Sequence, residues 1–332
     1  MNRITYSKVK DVRDAIHEHS TTSQAAFIAG GTNLLDLMKV NVMQPEHLVD
    51  INKIGCDAIE QLSGGGLKLG ASATNADTAY NEDVQHDYPL LSEAMLSAAS
   101  AQLRNMATNG GNVMQRTRCY YFYDTTTACN KRSPGSGCSA ISGYNRMHAI
   151  LGASEHCIAV HPSDMAVALT ALDAVVCVTG HAGAREIPIT SFHRLPGEHP
   201  EKDNTIEADE IITAIKLPPS SYAKHYSYLK LRDRPSYAFA LVSVAAALEL
   251  DEEQNVISAS IALGGVAHKP WRMQEAEALL TGKPATAVHF KLAADKLLES
   301  ATGFEHNNFK IELARRAIVR ALEQAVNKQT EL

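Results

Sequence analysis

No apolar run in this 332-residue chain is long enough to span a bilayer. The longest, Ala238 to Leu250, falls short of the ~20 residues a spanning helix needs. The net charge of −6 is mild and no basic stripe stands out, so nucleic acid is not an expected partner. The first residues, MNRITYSKVKDVRDAIHEH, hold neither an apolar h-region nor a twin-arginine pair, so no export signal is read there. No C-x-x-C pair occurs, which disfavours a zinc ribbon. Internal repeats and low-complexity tracts are also missing.

What is present reads as a globular protein. The apolar share is 45% and the charged share 20%. The length suits two domains of ~150 residues each. In the first part, Lys10 to His19, Leu34 to Val40, Leu90 to Ala101 and Met165 to Leu172 read as helical. Ala25 to Ala29, Glu46 to Ile51, Leu67 to Ala73, Val175 to Thr179, Ile187 to Ile189 and Ile211 to Leu217 read as strands. Pro218 to Ser221 forms a seam. Beyond it, Ser227 to Arg232, Ala238 to Leu250 and Val256 to Leu263 read as a second sheet, the middle segment possibly helical by composition. Helices follow at Met273 to Thr281, Phe290 to Ala301 and Phe309 to Val326. The expectation is an α+β fold with a domain over 1–219 and a smaller one over 220–332. Residues 105 to 160 lack periodicity, and a long irregular stretch inside a domain points to function or a bound ligand.

Two glycine segments carry possible chemistry. In AAFIAGGTNLLDLMK a strand stops at Gly30-Gly31, where backbone amides can approach a ligand and form an anion nest for a pyrophosphate. The pattern is neither a Rossmann fingerprint nor a P-loop. In ASAQLRNMATNGGNVMQRTRC, Thr108, Gly110, Gly111 and Asn112 offer similar donors. Ser163-Asp164 opens a helix whose first amides are free for acceptors. Each segment alone also reads as a plain turn.

Of six cysteines, Cys119, Cys129, Cys138 and Cys157 fall in the irregular stretch, with spacings of 10, 9 and 19. Four thiolates converging from a loop suit an iron–sulfur cluster. Arg116, Arg118, Lys131, Arg132 and Arg146 are expected to offset its negative charge. Free thiols or two disulfides remain open on spacing alone. Cys56 and Cys177 read as buried small apolar residues.

FIAGGTNLLDLMK, ASAQLRNMATNGGN, HPSDMAVALTALDA and KLRDRPSYAFALVSVAAAL, in that order, resemble the signatures of the flavoprotein subunits of the xanthine dehydrogenase family. GGVAHKPWR extends the likeness nearly end to end. The segment RTRCYYFYDTTTACNKRSPGSGC and the later SEHCIAVHPSD resemble an insertion, about 115–160, found in the flavin subunits of periplasmic bacterial aldehyde oxidoreductases. A four-cysteine insertion also marks the 4-hydroxybenzoyl-CoA reductase type, whose surrounding sequence is less similar.

The resemblance implies a two-lobed FAD-binding domain of the vanillyl-alcohol oxidase type, then a domain like the CO dehydrogenase flavoprotein C-terminal domain. It implies non-covalent FAD held by Ala26, Phe27, Ile28, Ala29, Gly30, Gly31, Thr32, Asn33 and Leu34 at the pyrophosphate. Thr108, Gly111, Asn112, Ser163 and Asp164 would hold the ribityl and pyrophosphate region, and Ile212 and Lys230 the flavin end. Tyr237 would cover the isoalloxazine. Asn33 stands where the family pattern has Asp, which keeps a hydrogen-bonding group. A 4Fe-4S cluster would sit on Cys119, Cys129, Cys138 and Cys157, and a structural staple is favoured because the loop has little else to hold it. A molybdenum-cofactor large subunit and a small subunit with two 2Fe-2S clusters would complete a heterotrimer, or a dimer of it. An aldehyde would be oxidised on the large subunit, with electrons leaving through this chain to an external acceptor. Export on a partner's signal implies the periplasm, with the cytoplasm as the alternative. Two other readings stand beside this one: a stand-alone flavin oxidoreductase of the same fold, and a scaffold without cofactors.

Overall fold

The segment DMAVALTA is apolar on every side after its first residue, and a helix of that kind must be buried all round. In the computed structural model, which describes residues 3–328, it forms the helix Asp164–Ala171 with all eight residues buried. The first two and last four residues of the two expected domains lie outside that range. Helix Asp164–Ala171 packs against helix Pro89–Ser97 of the N-terminal domain and against strands Val242–Leu250 and Val256–Gly264 of the C-terminal domain. One apolar cluster therefore runs from Leu67, Leu69 and Val176 through Met165 and Leu169 to Ala245, Ala247 and Ala262.

The N-terminal domain has two lobes. The first is a parallel sheet in which His47–Asp50 lies between Thr5–Lys8 and Ala25–Ile28, with helix Val12–Thr21 alongside. The second is a five-stranded antiparallel sheet in the order Ile59–Gln61, Leu67–Gly70, Ile211–Leu217, Val175–Gly180, Gly183–Pro188. The C-terminal domain is a four-stranded antiparallel sheet, Trp271–Arg272, Val256–Gly264, Val242–Leu250, His225–Leu231, backed by helices Ala287–Leu297 and Phe309–Val326.

The ambiguous segment before Leu250 is a strand, and its ambiguity has a cause. Alternate residues of a strand face opposite sides. Val244, Ala246 and Leu248 face the backing helices, while Ala245 and Ala247 face the N-terminal domain. With both faces covered, the strand shows no polar alternation. It begins only at Val242; residues 238–241 are irregular. The helix expected over Leu90 to Ala101 is two helices, Pro89–Ser97 and Ala101–Arg104. Ala99 breaks it at φ +49°, and the Ser100 hydroxyl accepts the Leu103 amide at 3.3 Å to restart it.

The stretch 105–160 is mostly irregular, with three short helices, Asn109–Val113, Tyr120–Tyr123 and Ser139–Ser142. It is well tied down. Arg132 donates to Tyr121 O and Phe122 O, each at 2.8 Å, and to Thr127 O. Asn307 Nδ2 donates to His148 O at 3.1 Å and Ala149 O at 3.0 Å. The fully buried Lys310 donates to His148 O at 2.7 Å and Gly265 O at 2.6 Å. The argument that the loop has little else to hold it is therefore overturned: side chains from inside the loop and from the C-terminal domain fix its backbone.

Phe290 is 1% exposed in the cluster between the C-terminal sheet and its helices. Phe290→Ala is expected to lower the unfolding free energy by roughly 3–5 kcal/mol, because it removes contacts and leaves a cavity. Urea denaturation of the two proteins measures this.

Candidate functional site

A cleft of about 1230 Å³ opens where the two lobes and the C-terminal domain meet. Small-molecule sites usually enclose ~300–1000 Å³, so the ligand it suits is long. Its wall includes all of Ala26 to Leu34, then Thr108, Gly111, Asn112, Asp164, Lys230 and Tyr237. Two expected residues are not on it. Ser163 lines a small adjoining cavity, where its hydroxyl accepts the Ala166 amide and donates to Asn112 Oδ1 at 2.6 Å. Ile212 is 6% exposed in the main apolar cluster, beneath Gly110. Its side chain packs in that cluster and is not on the cleft wall.

The first turn works by close approach. Strand Ala25–Ile28 ends, Gly31 takes φ +70°, and helix Leu34–Lys39 begins directly. A Cβ on Gly30 would lie 1.7 Å from Met106 O, so only glycine lets this turn meet the second one. Amides at the start of a helix lack intrahelical partners and suit an anionic ligand. Asn33 holds the turn to the irregular stretch: its Oδ1 accepts the Arg116 amide at 2.8 Å. In the second turn Thr108 Oγ1 accepts the Gly111 amide at 3.2 Å. The Asn112 side chain is already engaged, with Asn75 Oδ1 at 2.6 Å, Gln115 at 2.8 Å and Ser163. Its backbone is engaged as well: the amide donates to Thr108 O at 2.8 Å and the carbonyl accepts from Gln115 Nε2 at 3.0 Å.

At the far end, Lys230 and Asp164 form a buried ion pair at 2.7 Å, and Lys230 also donates to Ser97 O at 3.2 Å. Tyr228 donates to the other Asp164 oxygen at 2.7 Å. Tyr237 is exposed on the loop before Val242 with φ +50°, a strained conformation for a non-glycine residue. Arg234 donates to its carbonyl and lies 5.7 Å from its ring centroid. Sequence reasoning missed Arg104, Phe239 and Asn204 to Ala208, which also line the cleft. Arg104 and Phe239 lie within two of the quoted signature segments, which could have flagged them; Asn204 to Ala208 carry no motif, and only the fold brings them there.

A second, smaller cavity lies beside the cleft. Cys119, Cys129, Cys138 and Cys157 all line it, with Lys131, His156, Phe122 and Ala140. Burial pushes the Cys119 thiol up to about 12 and the Cys157 thiol up to about 11. N–H groups nevertheless aim at these sulfurs: those of Phe122 and Tyr121 at Cys119, and that of Ala159 at Cys157, at 3.5 Å. Neutral buried thiols have little use for such donors, whereas metal-bound thiolates do. Among the described residues, no three or more His, Cys, Asp or Glu side chains are set around a single ion. A cubane spreads its four sulfur ligands over four irons, so the donor set fits a cluster better than a lone metal.

Of the five basic residues expected around the cysteines, only Lys131 lines their cavity. Arg116 and Arg118 face the cleft, Arg132 ties loop carbonyls, and Arg146 pairs with Asp233 at 2.8 Å. Lys131 and Arg116 share one carboxylate: Asp203 receives Lys131 Nζ at 2.5 Å and Arg116 Nε at 2.8 Å. Burial alone would raise the Asp203 carboxyl, but Lys131 and then Arg116 hold it well below the usual carboxylate range.

The fold and cleft define a two-domain flavoprotein subunit with a dinucleotide-length site. Residues 2–220 match the family described as the FAD binding domain in molybdopterin dehydrogenase, and residues 225–325 match the CO dehydrogenase flavoprotein C-terminal domain. The chain belongs to this family, the FAD-binding subunits of the xanthine dehydrogenase group of molybdopterin dehydrogenases. It is 49% identical over 326 residues to the aldehyde oxidoreductase FAD-binding subunit PaoB of Escherichia coli, covering 98% of this chain and 99% of that protein. It is 27% identical over 331 residues to the carbon monoxide dehydrogenase medium chain of Afipia carboxidovorans, covering 97% and 98% of the two chains. Among solved structures, the carbon monoxide dehydrogenase of Hydrogenophaga pseudoflava matches with a TM-score of 0.76 and 26% identity, over 98% of this chain and 97% of that one.

Gly30→Ala is expected to lower bound FAD per chain at least tenfold, since the methyl displaces one turn from the other; flavin absorbance against protein concentration measures it. The Asp203 pairs give a pH test. A carboxyl with a depressed folded pKa stabilises fully above its unfolded value, ~4, and that contribution is lost as pH falls further. The unfolding free energy of Asp203→Asn should therefore fall less steeply than wild type between about pH 4 and pH 2, as read from denaturant titrations at stepped pH.

Proposed function

We propose that this chain is the electron-passing subunit of a molybdenum-dependent aldehyde oxidoreductase, carrying FAD in the cleft and a 4Fe-4S cluster on Cys119, Cys129, Cys138 and Cys157. The observation that carries the cluster is the convergence of those four cysteines on one cavity, with N–H donors aimed at their sulfurs. The near full-length likeness to the PaoB subunit carries the choice of an aldehyde. The partners are a molybdenum-cofactor large subunit and a small subunit with two 2Fe-2S clusters. The complex is a heterotrimer or a dimer of one, and it reaches the periplasm on a partner's signal.

Bound FAD supplies two-electron chemistry that can proceed in single-electron steps. The residues of this chain bind and orient it. The first glycine turn presents backbone amides to the pyrophosphate, while the second, whose amides are bonded to Ala71, Ala73 and Thr108, packs closely against it and keeps its shape. Lys230 meets the flavin end as half of a neutral pair with Asp164, so it acts as a fixed N–H donor more than as a free positive charge. Tyr237, on an exposed loop across the cleft, is placed to cover the ring. The buried carboxylates on the cleft wall, Asp164 and Asp203, are already bonded, the first to Lys230 and Tyr228 and the second to Lys131 and Arg116, which favours a relay over a stand-alone oxidase.

The test is elemental and spectral analysis of the anaerobically purified complex. About one FAD and about four irons per chain, beyond those of the small subunit, are expected. Because side chains hold the loop, Cys129→Ser should keep its FAD and assemble while losing more than half of those irons. Flavin without the extra iron in the wild type would refute the cluster and leave the FAD reading intact. Activity confined to the cytosolic fraction would refute the export route.

A further inference from the structure

We propose that His148 donates a hydrogen bond to the Cys119 sulfur and so raises the reduction potential of the cluster bound there, with Lys310 and Asn307 holding the His148 backbone in place. This rests on the cluster reading above and concerns a residue that is no ligand and no part of the cleft's cofactor grip.

His148 is 2% exposed, and its Nε2 lies 3.1 Å from Cys119 Sγ. Which nitrogen carries the proton follows from its two neighbours. A metal-bound sulfur only accepts, so a bond at that distance places the proton on Nε2. His148 Nδ1 is buried without a hydrogen-bond partner. An orphaned acceptor is tolerated better than an orphaned N–H, which selects the same tautomer.

The backbone that carries the buried ring is fixed. Its own amide donates to Asn145 O at 3.0 Å. Its carbonyl accepts from Lys310 Nζ at 2.7 Å and Asn307 Nδ2 at 3.1 Å. Lys310 is 0% exposed, and Gly265 O also receives it at 2.6 Å. Both anchors come from the C-terminal domain. The domain that closes over the cleft thus also aims the donor at the sulfur, 29 residues along the chain from its target.

One-electron reduction of a thiolate-bound cluster adds negative charge that spreads onto its sulfurs, with no bond broken. An N–H aimed at one sulfur binds the reduced state more strongly than the oxidised one and raises the potential. The difference expected for one such bond is about tenfold in the reduced-to-oxidised ratio at a fixed potential, or 59 mV for a one-electron couple.

The experiment compares anaerobically purified wild-type, His148→Leu and His148→Gln complexes in redox titrations followed by electron paramagnetic resonance, with iron and sulfide counted in each. The Leu variant should keep its iron and show a midpoint lower by about 59 mV. The Gln variant, whose amide still donates, should recover most of that shift. An unshifted Leu midpoint with iron retained overturns the proposal alone. A wild type lacking the extra irons removes the cluster reading and the proposal together. Should the Leu variant lose its iron, wild-type complex labelled with 15N-histidine decides: nitrogen coupling to the reduced cluster supports the bond, and its absence overturns it.

Discussion

The cleft depends on one close approach, that of the Gly30 backbone to the Met106 carbonyl. A Cβ at Gly30 would sit 1.7 Å from that oxygen, so the two turns meet with no side chain between them. One turn ends the parallel sheet of the first lobe; the other follows the helix pair of the second. Their contact sets the width of the site and backs the first turn with a second whose own amides are bonded to Ala71, Ala73 and Thr108. Asn33 then carries the first turn onward to Arg116, so the same contact positions the start of the cysteine-bearing stretch.

The C-terminal domain does more than fill space. Its sheet covers helix Asp164–Ala171, and its first strand delivers Tyr228 and Lys230 to Asp164. Burying an ion pair costs desolvation that the attraction only partly returns, so such a pair is better understood as fixing geometry than as adding stability. Here it fixes that end of the cleft across a domain boundary. Lys310 does the same for the cysteine loop, with backbone carbonyls in place of a carboxylate.

Much of this was legible in the residues. The expected α+β class, the C-terminal sheet and both glycine turns have counterparts in the structure, because strand alternation, glycine and capping residues are local signals. The four cysteines converge as spacing alone could not require. The side chains of Ile212 and Ser163 lie off the cleft wall for a reason that no local signal shows. Whether a strand or capping side chain points at a ligand or into the core depends on which layer packs against it, and that is decided by residues more than 50 positions away, such as Gly110 beneath Ile212 and Asn112 against Ser163. The partners of the basic residues were equally out of sight in the sequence. Arg116, Arg132 and Arg146 lie in the cysteine stretch, but their charges are taken up by Asp203, by loop carbonyls and by Asp233.

Those same bonds show that the insertion is no appended module. Asp203 joins Arg116 on the cleft wall to Lys131 on the cysteine cavity. Removing one partner of a buried pair leaves an uncompensated charge, a larger penalty than the pair's own net worth. A change at Lys131 is therefore felt at Arg116, and through the Arg116 amide at Asn33 in the first glycine turn. The cleft and the cysteine cavity share a wall, and its rigidity comes from charge pairing rather than from regular secondary structure. A stretch with only short helices can hold four sulfurs in fixed positions because each of its turns is bonded to a neighbour that is already buried.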